Sequence, residues 1–222
     1  MTDGTTKQIE YQKLDKYYHR EKGDFNFDVE SEPHILEFQK LIGEDIIPIA
    51  KCVLNTKEHF PPKKKKDGGY GKAREYYDPN DITYKGKKVD YIKEHEYWED
   101  VENEWLYCLT YNGRIVKIGM TISSLKERYM SYSCGTSRAM EKGSCSTTNY
   151  IISECNCYAL LKGMEVKIYG IRCPKMTHEI TRFGQTVTIA LSSVREQETM
   201  ITHVFTKEYL HKPVLCVQVG SK

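Results

Sequence analysis

The sequence predicts an α+β fold: a small, mainly antiparallel sheet flanked by helices, with an N-terminal helical extension. Three observations lead there. Two β-rich runs flank Asn112-Gly113, a dipeptide that accepts positive φ and is the strongest short-range hairpin signal. Through the second half, helical and strand-like segments follow one another without the regular βαβ alternation of a parallel sheet. In the first sixty residues, by contrast, apolar side chains recur at helical spacing.

Taken in order, residues 7–60 carry Ile35, Leu36, Phe38, Leu41 and Ile42 near a helical period, then IIPIAKCVL, where Pro48 interrupts. Two or three helices are expected. PPKKKKDGGYGKAREYYDPND comes next, and its prolines, glycines and four consecutive lysines (Lys63, Lys64, Lys65, Lys66) argue against a packed element. It reads either as a solvated spacer or as a basic arm that contacts phosphate. WLYCLTYNGRIVKIGM is the hairpin, and SYSCGTSRAMEKGSCSTTNY, rich in Ser, Thr and Gly, is expected to be a loop. TTNYIISECNCYALLKG predicts a helix, MEVKIYGIR a strand, EITRFGQTVTIAL a strand pair, SSVREQETMITHVFTKEYLH a helix and VLCVQV a short closing strand. The chain divides accordingly into a helical extension (1–60), a basic linker or arm region (61–104) and an α+β domain (105–222).

No apolar run approaches the roughly 20 residues of a membrane span, and the opening MTDGTTKQIEYQKL has neither signal-peptide nor transit-peptide character. A cytoplasmic protein without a membrane partner is expected. The eight cysteines are spread over a chain too large to need a disulfide framework, so reduced thiols are expected. Only Cys155 and Cys157 are close, as CNC, which is not zinc-ligand spacing. Net charge is +2, but residues 105–222 hold 15 Lys and Arg against 8 Asp and Glu, a cationic surface suited to a polyanion.

The hairpin register decides which side chains meet. A two-residue Asn112-Gly113 loop pairs Tyr111 with Arg114 and sends Tyr107 and Lys117 to opposite faces. A three-residue loop with Gly113 in a G1 bulge pairs Thr110 with Arg114 and sets Tyr107 opposite Lys117, with Cβ atoms about 5 Å apart. The second register is preferred because of the helix beyond the hairpin. Gly119 ends the strand, Ser124 caps that helix with Glu127 three residues on, and Arg128 in the first turn swings back over the face carrying Tyr107 and Lys117.

LYCLTYNGRIVKIGMTISSLKERYMSY resembles the core of the GIY-YIG nucleases. Leu106-Tyr107-Cys108 stands where GIY would be and Lys117-Ile118-Gly119 where YIG would be, followed by GMT and the spaced Arg128. The lysine has counterparts in restriction enzymes similar to this family. The resemblance covers about residues 105–210. It implies a metal-binding glutamate on a later helix with apolar residues near +3 and +7. Glu198 fits through Ile201 and Phe205, and Glu196 is the near alternative.

The resemblance implies a DNA endonuclease. Tyr107 would be the general base, Lys117 would orient water or stabilise charge, Arg128 would grip a phosphate oxygen, and Glu198 would hold Mg²⁺ or Mn²⁺. Double-stranded DNA would be the substrate. A compact chain of this kind looks most like a type II restriction enzyme, which would act as a homodimer on a palindrome. The alternatives are a phage or repair nuclease acting on branched or damaged DNA, and a non-catalytic DNA-binding or regulatory module. Further DNA contacts are expected from Lys63, Lys64, Lys65, Lys66, Lys126, Arg138 and Lys142, with Tyr132 in the same loop region. His203 reads as a packing or surface residue.

Overall fold

The computed structural model describes residues 13–19, 22–62 and 74–216. Lys63, Lys64, Lys65 and Lys66, and the second half of VLCVQV, lie outside the described residues, while Val214 and Leu215 of that segment form a turn rather than the expected strand. Among the described residues no helix is long and apolar enough to cross a membrane.

A short hairpin, β1 (Tyr18–His19) with β2 (Asp24–Phe25), leads to helix α1 (Ile35–Ile42). Strands β3 (Ile47–Leu54), β4 (Val89–Lys93), β5 (Asn103–Tyr111), β6 (Arg114–Thr121) and β7 (Val166–Pro174) form one antiparallel sheet in the spatial order β4-β3-β7-β5-β6. Between β6 and β7 lie α2 (Leu125–Ser133), α3 (Ser137–Glu141) and α4 (Thr147–Leu161). A second two-stranded sheet, β8 (Met176–Arg182) with β9 (Gln185–Leu191), leads into α5 (Val194–Tyr209).

All nine residues of β5 are buried, because helices cover both faces of the sheet there. Its odd residues, Trp105, Tyr107, Leu109 and Tyr111, pack with Tyr129 of α2 and Ile151 and Ile152 of α4. Its even residues, Leu106 and Cys108, pack with Ile118, with Phe38 of α1 and with Val194, Ile201 and Phe205 of α5. The periodicity in α1 is thus satisfied on one side only: Ile35 and Phe38 are buried while Leu36 stays exposed. His34 caps α1 by accepting from the Leu36 N–H at 3.3 Å, and Gly43, at φ 70°, ends it.

Three expectations are corrected. IIPIAKCVL is not helical but enters the sheet as β3, rich in β-branched residues, and Pro48 sits where the register against β7 shifts, so its missing N–H breaks no regular ladder. Residues 18–25 form a hairpin rather than a helix. The 61–104 stretch also contributes more than a linker: β4 joins the sheet, and the 3₁₀ turn Glu96–Glu99 buries Trp98. Its described segment is strapped down by Asn55, whose amide donates to the Glu75 and Lys87 carbonyls at 2.9 and 2.8 Å. Such side-chain-to-backbone bonds leave no periodicity to read.

Candidate active site

The hairpin combines parts of both expected registers. Asn112 and Gly113 have φ of 50° and 78°, and Tyr111 pairs with Arg114, so the loop has two residues. The register then shifts: Thr110 pairs with Ile115, but Leu109 pairs with Lys117. Val116 is the extra residue of a β-bulge on β6, and beyond it Lys117 and Gly119 share the face of Leu109 and Tyr107. Tyr107 therefore lies opposite Gly119, not Lys117, although Lys117 is on its face.

The role expected of Gly119 changes as well. The strand does not stop there but runs on to Thr121. A Cβ at Gly119 would lie 2.5 Å from Cζ of Tyr107 and nearer still to its hydroxyl. Glycine thus makes room for the Tyr107 ring to lie across β6.

Helix α2 is aimed at that ring. The Ser124 hydroxyl accepts from the Glu127 N–H at 3.2 Å and fixes the helix start. One turn on, Arg128 Nε donates to the Tyr107 hydroxyl at 3.1 Å. The next turn brings Tyr132, whose hydroxyl lies 2.6 Å from that of Tyr107 and whose ring stacks 4.8 Å from the Arg128 guanidinium carbon. Tyr132 does not belong to a loop facing DNA, as the sequence suggests; it is fully buried within α2. Burial of Tyr132 and the neighbouring Tyr107 push its pKa well above the usual phenol value, against the pull of Arg128. It therefore holds its proton. Arg128 Nε and the Tyr132 hydroxyl thus both converge on the Tyr107 oxygen. Arg128 in turn stays charged: burial would lower its pKa, but the Tyr107 and Tyr132 phenols outweigh it and raise it.

Glu198 approaches from the other side of the sheet edge. Helix α5 packs through Val194, Ile201 and Phe205, which leaves Glu198 half-buried and Glu196 exposed. Glu198 and Lys117 line one cavity of about 450 Å³, together with Thr202, His203, Lys212 and Cys216. Burial raises the Glu198 carboxyl above its ordinary pKa, while Lys117, Arg128 and Arg195 draw it down. Tyr107, Lys117, Arg128 and Glu198 thus come together, within hydrogen-bond reach for Tyr107 and Arg128 and within electrostatic reach for Lys117, Arg128 and Glu198.

The expected outer contacts lie further off. Lys126 is paired with Glu99 at 2.5 Å, Arg138 forms a two-bonded fork with Glu75 at 3.0 and 3.1 Å, and Lys142 is exposed at the end of α3. Sequence reasoning missed the pairing of Tyr132 with Tyr107. Its four-residue spacing from Arg128 on one helix face was the signal that could have found it.

Among the described residues no three His, Cys, Asp or Glu side chains cluster as a metal cage. The cavity offers one carboxylate, Glu198, beside the Thr202 hydroxyl. That donor set suits a hard cation that keeps most of its waters and does not suit zinc.

No protein-family model matches the chain, and no curated protein matches it in sequence. Among the solved structures similar to it is the restriction endonuclease HPY188I in complex with product DNA, at 22% identity, covering 86% of this chain and 90% of that one, with a TM-score of 0.46. Another is a mutant of bacteriophage T4 EndoII, at 17% identity, covering 78% of this chain and 95% of that one, with a TM-score of 0.41. Similarity at this level carries no function across.

Proposed function

We propose that the protein is an endodeoxyribonuclease that hydrolyses phosphodiester bonds of double-stranded DNA with Mg²⁺ or Mn²⁺, as a homodimeric, sequence-specific restriction enzyme. One observation carries the proposal: a half-buried carboxylate, Glu198, shares a cavity with Lys117 and feels Arg128, which itself holds the Tyr107 hydroxyl. Four residues from four elements supply a base, two cations and a hard-metal ligand, which is what phosphodiester hydrolysis requires.

Tyr107 takes the proton of the attacking water, its developing phenolate held by hydrogen bonds from Arg128 and Tyr132. Arg128 and Lys117 offset charge on the non-bridging phosphate oxygens. Glu198 would hold the metal ion. When bound there, a divalent cation neutralises charge at phosphorus and assists departure of the leaving oxygen. Cleavage of both strands suits a two-fold pair of such sites.

The test is incubation of the purified protein with unmethylated phage-length DNA and Mg²⁺, beside an EDTA control and a Glu198→Gln variant, read on a gel. Discrete fragments lost in both controls are expected. Intact DNA with a salt-sensitive mobility shift would instead assign a binding module without chemistry.

A further inference from the structure

The β8–β9 ribbon is the least explained part of the molecule. The side chains described on its two strands are all exposed, and the strands pack chiefly on each other. The register Met176↔Leu191, His178↔Ile189, Ile180↔Val187 places five apolar side chains, Met176, Ile180, Val187, Ile189 and Leu191, on one face. The opposite face carries Thr177, Glu179, Thr181, Thr186 and Thr188. This is the alternation of a strand pair with one buried face, yet nothing among the described residues buries it. An isolated two-stranded ribbon is at best marginally stable in water, so an apolar face of this kind calls for a partner.

A second apolar surface lies at the foot of the ribbon. Helices α1 and α5 leave between them a groove of about 470 Å³ over Leu106 and Ile171, walled by Leu41, Ile42, Met200 and Val204. Met200 is 68% exposed. No residue of β8 or β9 lines the groove of its own chain, although Pro174, just before the ribbon, does.

We propose that the β8–β9 ribbon of one protomer docks its apolar face into the α1–α5 groove of a second copy, reciprocally, forming a two-fold dimer. Apolar character favours the match: the groove is walled by Leu41, Ile42, Met200 and Val204, and its two charged residues, Glu44 and Arg172, offset one another. Size favours it too. Seven-residue strands give a ribbon about 24 Å long and on the order of 10 Å wide, from the rise per residue and strand spacing. Two reciprocal contacts then remove on the order of 1,000 Å² in all, the threshold for a specific interface. An isologous arrangement closes on itself and leaves neither surface open to a third copy. The inference holds whether or not the protein cuts DNA.

Sedimentation equilibrium of the full chain, without DNA, tests it. The arm variant is Ile180→Glu with Val187→Lys, a cross-strand pair whose opposite charges keep the ribbon intact. The groove variant is Met200→Glu, and Thr177→Lys on the polar face is the control. A wild-type dimer is expected, with dissociation constants raised about 100-fold or more in the arm and groove variants and unchanged in the control. Mixing arm and groove variants should restore dimers, because one intact arm–groove contact remains. A monomeric wild type, or variants that still dimerise, would overturn the proposal. So would a mixture that stays monomeric, since a reciprocal contact leaves one arm and one groove intact, whereas a groove variant that dimerises beside a monomeric arm variant would place arm against arm. A monomeric wild type whose affinity for duplex DNA drops in the arm variant would assign the ribbon to DNA instead.

Discussion

Replacing Gly119 by alanine tests whether the Tyr107 hydroxyl is part of the reaction. The added Cβ would stand 2.5 Å from Cζ and 2.9 Å from Cε2 of Tyr107. Carbon atoms in ordinary contact lie about 3.5 Å or more apart, so the ring must retreat by about 1 Å. It has little room: Tyr107 is fully buried, and the Tyr129 ring packs edge-on with centroids 5.1 Å apart. Retreat stretches the bonds to Arg128 and Tyr132, now 3.1 and 2.6 Å. Overpacking costs about 1–3 kcal/mol, which for a chain of this size lowers Tm by roughly 2–12 °C. Displacing the base by about 1 Å lowers the cleavage rate on the order of 100-fold. Single-turnover cleavage and thermal denaturation measure the two effects separately. Adding Tyr107→Phe to Gly119→Ala removes the atom in closest conflict and should recover part of the stability with no activity. A Gly119→Ala protein that cleaves within about threefold of wild type would refute a role for the Tyr107 oxygen, whatever its stability.

The remaining predictions concern the charges and packing around that ring. Burial raises the Glu198 pKa above its ordinary 4.5, so the native state binds this proton more tightly than the unfolded chain does. Its stabilising contribution is complete below that value and is lost as pH rises through the folded pKa. Glu198→Gln, which cannot ionise, should therefore gain in Tm relative to wild type between pH 4 and pH 8, while cleavage falls by about 10³-fold or more. Glu196→Gln, at an exposed position, should change neither. Lys117→Met removes a cation that draws Glu198 down, and the acid limb of any pH–rate profile should move to higher pH. Tyr132→Phe deletes one of the two hydrogen-bond partners of the Tyr107 hydroxyl and should slow cleavage about tenfold with a loss of roughly 1 kcal/mol by urea denaturation. Gly135→Ala sets a Cβ against the backbone of Asn149 and 2.7 Å from the Tyr150 N. Since α4 backbone cannot step aside as a side chain can, a loss of at least about 2 kcal/mol is expected.

The sequence carried the fold where local chemistry was decisive. Asn112-Gly113 marked the hairpin, and Ser124 marked the start of α2 through its bond to the Glu127 N–H. α5 was legible because its buried Val194, Ile201 and Phe205 fall on one helical face. The segment 47–54 was not: its apolar residues are nearly continuous, a pattern shared by helices and doubly covered strands, and Pro48 tilted the reading the wrong way. The four central site positions were legible as a set through spacing and resemblance, but not their contacts. A one-residue bulge at Val116 leaves no compositional trace, yet it decides that Tyr107 meets Gly119 rather than Ile118 and brings Lys117 onto the Tyr107 face. The bond from Tyr132 to Tyr107 was hidden because a run rich in Ser and Gly looked like loop where α2 continues through Ser133.

The bulge on β6 has an effect beyond the site. As the outermost strand of the sheet, β6 could pair with a foreign strand, the usual route to edge-to-edge aggregation. Its extra residue turns a carbonyl out of the regular ladder, and the chain spends that acceptor on itself: the Leu215 N–H donates to the Val116 carbonyl at 2.8 Å, and the Cys216 thiol reaches the Ile118 carbonyl at 3.4 Å. The strand that presents Lys117 is thereby closed to addition by the segment that also walls the cavity. Solubility and the shape of the cavity depend on the same few atoms, so lesions at Leu215 or Cys216 should show as aggregation at least as readily as lost activity.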